Sequence, residues 1–278
     1  RAHTTITTTE ESGYMKNNVS GGKRTYNEAM IREIIVDGSV HKLDDLLKSG
    51  CDMLAMEQDG YTLLEQACIW GNLDIVKWLY QNEVKFKKER YELSYAAAEN
   101  KVDILCYLLS VGANASGVDE TGRNGLHWAA QEDYRDVCAL LLKNKCCVNQ
   151  MESSGQTPLY IAAAENNYVI AETLLKSNAL TELCSVFDGT TPFMIACKSG
   201  NFLICDLLLS YGADVDARDS EGRTALFYAN VCCVKEQIQY LISKGADTSI
   251  EDEGGISPQD VCENAGLRKA LYQELYLD

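Results

Sequence analysis

Apolar and small residues return along this chain in one recurring phrase. Asp119-Glu-Thr-Gly122-Arg-Asn-Gly-Leu126-His127-Trp128-Ala129-Ala130 aligns with Asp219-Ser-Glu-Gly222-Arg-Thr-Ala-Leu226-Phe227-Tyr228-Ala229. Glu152-Ser-Ser-Gly155-Gln-Thr157-Pro158-Leu159-Tyr160-Ile161-Ala162-Ala163 fits between them, and Thr-Pro or Ser-Pro returns at Thr191-Pro192 and Ser257-Pro258. With the Thr of Thr-Pro-Leu as marker, equivalent positions fall at Ala29, Thr62, Tyr91, Asn124, Thr157, Thr191, Thr224 and Ser257, in steps of 33, 29, 33, 33, 34, 33 and 33 residues. A fixed period of this length is the signature of a repeat array, in which units stack without a domain break.

A second marker keeps the same frame. Leu46-Leu47, Leu79-Tyr80, Leu108-Leu109, Leu141-Leu142, Leu174-Leu175, Leu208-Leu209, Leu241-Ile242 and Glu274-Leu275 sit at one offset in eight successive units. Each unit thus carries a pair of small residues, such as Ala96-Ala97, Ala129-Ala130 or Ala162-Ala163, ahead of its leucine pair. The small residues would let neighbouring units approach closely, and the leucine pairs are expected to fill the core. The glycines Gly60, Gly122, Gly155, Gly189 and Gly222 before the marker suit a turn. Pro158, Pro192 and Pro258 suit a first helical turn, and Gly50, Gly112, Gly212 and Gly245 suit helix C-caps.

These residues identify a resemblance to the ankyrin repeat family over about residues 26–278. It implies an all-α solenoid of about eight helix-turn-helix units with projecting hairpin loops, near 26–57, 58–86, 87–119, 120–152, 153–186, 187–219, 220–252 and 253–278, preceded by a tail over 1–25. Thr25-x-x-Glu28 is a capping-box pattern that opens the array, with Ile34-Ile35 in place of the alanine pair. The first and last units read as caps. The interval from Tyr80 to Tyr91 is about four residues short, so the hairpin there is expected to be clipped beside Lys85, Lys87, Lys88 and Arg90. Either a specificity feature or tolerated drift accounts for it.

Charge narrows the partners. The net formal charge of −16 argues against nucleic acid and anionic lipid as main partners. Residues 1–25 are instead mildly basic, rich in Thr, Ser, Gly and Asn, and expected to be disordered when alone. They are either a flexible leader or, through Ile6, Tyr14 and Met15, a ligand for the acidic body. A start at Arg1 is expected of a partial or processed form. No run approaches the roughly 18 apolar residues of a membrane span, and no signal peptide opens the chain.

Of the twelve cysteines, Cys68, Cys106, Cys138, Cys197 and Cys205 fall within apolar helical patterns, and no CxxC pair occurs. Reduced core thiols of a cytosolic or nuclear protein are expected. The three histidines, His3, His41 and His127, are scattered, with no metal spacing, phosphate loop or nucleophile elbow around them. No catalytic residue, cofactor or metal is expected, and His127 reads as a structural hydrogen-bonding residue.

The resemblance places a partner in the concave groove formed by hairpins and first helices. Residues just before the marker and seven or eight after it are then the contact positions. They comprise Tyr61, Arg90, Arg123, Gln156 and Thr190, followed by Ile69, Trp70, Glu99, Gln131, Glu132, Glu165 and Lys198. Tyr61 and Trp70 are expected to be neighbours beside Arg90 and Arg123, the make-up of an interface hot spot, although Trp70 could equally cover an adjacent helix. Glu99, Glu132 and Glu165 would form an acidic ladder, serving either solubility or a basic partner segment. Trp128, where the family usually has leucine, reads as packing, and Trp78 as core or convex surface. Asn149 resembles the hairpin asparagine that an oxygen-sensing hydroxylase modifies in ankyrin proteins. The expected function is a non-enzymatic adaptor that binds a protein or peptide, with a basic segment and apolar anchors, on the groove. Its rivals are the targeting part of a larger protein and an inhibitor that masks a basic partner.

Overall fold

The computed structural model describes residues 28–48, 57–58, 61–82, 91–232 and 234–263. Seven helix pairs follow one another: α1 Glu28–Asp37 with α2 Val40–Lys48, α3 Leu63–Trp70 with α4 Leu73–Gln81, α5 Glu92–Ala98 with α6 Val102–Ser110, and α7 Gly125–Glu132 with α8 Arg135–Lys143. The array continues with α9 Pro158–Ala164 and α10 Tyr168–Lys176, α11 Pro192–Lys198 and α12 Phe202–Ser210, then α13 Ala225–Cys232 and α14 Lys235–Ser243. Helix α15, Pro258–Glu263, opens the eighth unit. Odd-numbered helices pack on odd-numbered ones from α1 to α15, and the even-numbered helices from α2 to α12 form a second layer. The tail over 1–25, the capping pattern at Thr25, the clipped segment with Arg90 and the end of the last unit lie outside the described residues.

From α3 onward the marker residue stands immediately before each first helix, whereas Ala29 lies inside α1. The Thr157, Thr191 and Thr224 hydroxyls accept the backbone N–H of Tyr160, Met194 and Phe227 at 3.2, 3.2 and 3.3 Å. Thr62 does the same for Glu65, and the Glu65 carboxylate accepts the Thr62 N–H at 2.7 Å, closing a capping box. These hydrogen bonds fix where those helices begin and explain the Thr, Asn or Ser at most markers; Tyr91 makes no side-chain cap bond.

Both residues of the small pairs Ala96-Ala97, Ala129-Ala130 and Ala162-Ala163 are fully buried, as are Ile34 and Ile35. The leucine pairs differ from expectation. Their first members, Leu79, Leu108, Leu141, Leu174, Leu208 and Leu241, are fully buried, whereas most second members are only partly covered and Leu47 is exposed. One residue turns a helix by about 100°, so the large second member points partly away from the seam that buries the first. Cys106 corrects the reading of the cysteines for the same reason: it is exposed on α6, while Cys68, Cys138, Cys197 and Cys205 are buried. Trp78 is core, with its indole N–H donated to Asp44 on α2 at 2.6 Å.

Two polar devices join consecutive units. Asn72, Asn167 and Asn201, each at the start of a second helix, donate their amides to the carbonyls of Ile35, Ala130 and Ala163 in the preceding unit at 3.2, 2.8 and 2.9 Å. At the opposite end, the hairpin tips form a backbone ladder, with Ser153 N–H on the Thr121 carbonyl at 2.9 Å and Glu253 N–H on that of Glu221 at 2.9 Å. Gly189 shows how tightly the tips approach: its φ is +71°, and a Cβ there would lie 2.5 Å from the Ser220 nitrogen.

Removing the asparagine clamp leaves a helix-end carbonyl without its donor. Asn167→Ala and Asn201→Ala are each expected to lower unfolding free energy by about 1–2 kcal/mol, measured by urea denaturation.

Candidate protein-binding face

Four residues past each marker, the first helices present Gln66, Tyr95, Trp128, Ile161, Ile195 and Tyr228. The partners of the aromatic members show where this row points. Tyr95 donates its hydroxyl to Glu120 in the next hairpin at 2.6 Å, and Trp128 donates its indole N–H to Asp119 in its own at 3.0 Å. The row therefore lines the elbow between the first helices and the hairpins.

Two aspartates organise this elbow. Asp119 Oδ1 accepts the N–H of Thr121 and Arg123 at 3.0 and 3.1 Å, while Oδ2 accepts the Ser94 hydroxyl and the Trp128 indole. The Arg123 guanidinium lies 4.9 Å from the centre of the Trp128 ring. Three units later Asp219 repeats the arrangement: Oδ1 accepts from Glu221 and Arg223, Oδ2 accepts the Tyr228 hydroxyl, and Arg223 lies 4.9 Å over the Tyr228 ring. Burial and the hydrogen bond to Asp219 hold the Tyr228 phenol well above its usual pKa, and Tyr95 is held up in the same way by burial and Glu120.

The contact positions expected from sequence divide into several groups. Arg123, Gln131 and Glu132 form one string: Arg123 Nη1 donates to Gln131 Oε1 at 2.8 Å, and Gln131 Nε2 donates to Glu132 Oε1 at 2.8 Å. Glu99, Glu132 and Glu165 are all exposed at the ends of successive first helices. Glu132 and Glu99 both act on Tyr134, whose pKa is raised by burial first and then by these two charges. Lys198 is exposed, with its ammonium 5.5 Å from the centre of the Tyr228 ring.

Tyr61 and Trp70 are not the neighbours expected. Trp70 ends α3 and Tyr61 lies two residues before its start, so a helix of eight residues, about 12 Å long at the helical rise, stands between them. Tyr61 instead meets Tyr95 edge-to-face at 5.4 Å, while Trp70 stays 46% exposed at the far end beside half-buried Ile69. Thr190 is buried, its hydroxyl donated to Asp188 at 2.8 Å and lying 3.1 Å from that of Tyr160, which removes it from the exposed surface. Gln156 is half-buried, and its carbonyl receives His127 Nε2 at 3.2 Å. Asn149 braces the next loop by accepting the Leu180 N–H at 2.9 Å and donating to the Asn178 carbonyl at 3.3 Å.

Trp128 corrects the packing assignment, being half-buried and turned to the elbow. With Tyr95 and Tyr228 it belongs to the face but not to the contact positions read from sequence. The available signal was three aromatics at one offset from the marker, two of them nine residues after an aspartate.

Models of the ankyrin repeat family match residues 93–183 and 177–252 in three-copy form and residues 59–87 as a single repeat, and the chain belongs to that family. Among solved structures it is similar to the ankyrin repeat domain of Bcl-3, described as a unique member of the IkappaB protein family. The two share 23% identity over 73% of this chain and 95% of that one, with a TM-score of 0.65, which shows a common fold. No curated protein matches the chain. Ankyrin repeats are in general protein–protein interaction modules. Among the described residues, no helix is long and apolar enough to cross a membrane.

The buried His127 makes the scaffold acid-sensitive. Burial pushes its pKa from 6.5 down to about 4. Below pH 6.5 the unfolded chain binds a proton that the folded chain refuses until about pH 4, so stability falls across that window. Urea unfolding of wild type should lose more than about 2 kcal/mol beyond the loss seen in His127→Gln between pH 7.5 and 4.5.

Proposed function

We propose that the protein is an adaptor whose elbow holds an extended basic segment of another protein, anchored by one or two apolar side chains. The observation that carries this reading is the composition of the N-terminal half of the elbow. Tyr61, Tyr95 and Trp128 supply aromatic surface, and Glu99, Glu120 and Glu132 border it with carboxylates. Aromatic rings flanked by acids favour Lys and Arg side chains, whose stems pack on the rings while their heads meet the carboxylates. The net charge of −16 adds long-range attraction for such a segment. Both Arg123 and Arg223 are tied to neighbouring rings and polar side chains, which limits their repulsion of a basic ligand. Buried thiols at Cys68, Cys138, Cys197 and Cys205 support a place in the reducing cytosol or nucleus.

The acidic ladder offers a test that leaves the core untouched, because Glu99, Glu132 and Glu165 are exposed. In affinity capture beside wild type, Glu99→Lys/Glu132→Lys/Glu165→Lys should lose the partner at least roughly tenfold, and salt near 0.5 M should release it from wild type. Equal retention by both proteins, unaffected by salt, would refute the reading.

A further inference from the structure

The hairpin tips occupy residues 119–122, 152–155, 185–189, 219–222 and 252–255. In the tips at 152–155 and 219–222, adjacent residues serve the backbone ladder. Ser153 donates to the preceding tip and Ser154 accepts from the following one; Ser220 and Glu221 do the same. In the tip at 185–189 the donor is Val186, bonded to the Ser154 carbonyl at 2.9 Å, and the acceptor is Asp188, bonded by Ser220 N–H at 3.0 Å. One residue, Phe187, stands between them. This is the logic of a β-bulge, in which an extra residue is left unpaired and re-aims its side chain. The same residue accounts for the 34-residue step from Thr157 to Thr191.

The inserted side chain is aromatic and 79% exposed, and its neighbour Val186 is 63% exposed. Single exposed apolar residues are ordinary, so exposure alone says little. What distinguishes Phe187 is the bracing beneath it. Gly189 N–H bonds the Ser185 carbonyl at 2.9 Å, Ser185 N–H bonds that of Thr190 at 3.0 Å, and the Thr190 N–H and hydroxyl both donate to Asp188 Oδ1. Tyr160 on α9 holds the Thr190 hydroxyl from below. An aromatic residue on a pre-ordered loop loses little conformational freedom when it is buried by a partner.

The surroundings define the partner. The five tips contain no Lys or Arg. Glu120, Asp188, Glu221 and Glu253 are exposed along this edge, on both sides of Phe187, with Glu221 already paired to Arg223 at 2.7 Å. A second copy of this chain would bring the same acidic edge and another −16 charges. We propose that Phe187 is the anchor of a second docking surface, on the hairpin edge, and inserts into an apolar pocket of a folded protein whose rim carries Lys or Arg opposite Asp188 and Glu253.

The test installs the photo-crosslinking residue p-benzoyl-phenylalanine in place of Phe187, and separately in place of Thr121, in cells that express the protein. The adduct specific to position 187 is identified and that partner purified. Its affinity is then measured for wild type, for a variant lacking Phe187, for Phe187→Ser and for the triple glutamate variant. Deleting Phe187 restores a four-residue tip with its ladder, and Phe187→Ser keeps the bulge. At least one of the two should hold the wild-type melting temperature, which establishes a folded comparison. The proposal expects Kd to rise roughly 30-fold or more in the folded variant and to weaken further with salt. An unchanged Kd, no adduct at position 187, or an adduct with a second copy of this chain would overturn it. A partner lost from the triple glutamate variant but kept without Phe187 belongs to the elbow, and sinks this inference while leaving the adaptor reading intact.

Discussion

The close approach of successive first helices is the constraint on which the rest of this molecule depends. A Cβ placed on Gly125 would lie 2.9 Å from that of Ala97 in the preceding unit, so there is no room for larger side chains at this seam. The alanine pairs are fully buried for the same reason. Once the spacing is set by backbones and methyl groups, the asparagine clamps and tip ladder fall within hydrogen-bonding reach of a neighbouring unit. Side chains four residues past the marker are then carried into one row. The elbow is therefore a product of packing, and the recognition chemistry we propose for it is laid over a scaffold that already satisfies itself.

Within that scaffold the two aspartate centres join stability to surface chemistry. Asp119 and Asp219 each use one oxygen to close their own hairpin and the other to hold an aromatic ring in the elbow. Each ring also carries an arginine against its face. The aromatic surface is consequently fixed in place before any partner arrives, and the guanidinium groups are committed to internal contacts. Two such centres three units apart place an aromatic ring at Trp128 and at Tyr228, with half-buried Ile195 and buried Ile161 between them.

The period, the helix pairs and the small-residue seam were legible in the sequence because each is written once per unit and depends only on neighbours one period away. The leucine pairs were legible as a frame but misleading as a core, since adjacency in sequence says nothing about which of two residues faces the seam. The site was harder to read. Offsets nominated Arg123, Gln131 and Glu132, yet their mutual hydrogen bonds depend on rotamers that no period encodes. Tyr61 and Trp70 looked like a pair because both fit contact offsets, whereas the length of α3 separates them. Trp128 was assigned to packing by its place in the phrase, and only the position of Asp119 shows that its indole turns outward.

The tip ladder has a consequence for how such a surface changes over time. Because each tip is tied to the next by a single backbone hydrogen bond, an added residue is absorbed where it enters, and the tips on either side keep their register. The edge behaves like a row of independent slots on a common rail. New chemistry is written into one slot without rewriting the others, and Phe187 is the visible case of a slot used in this way.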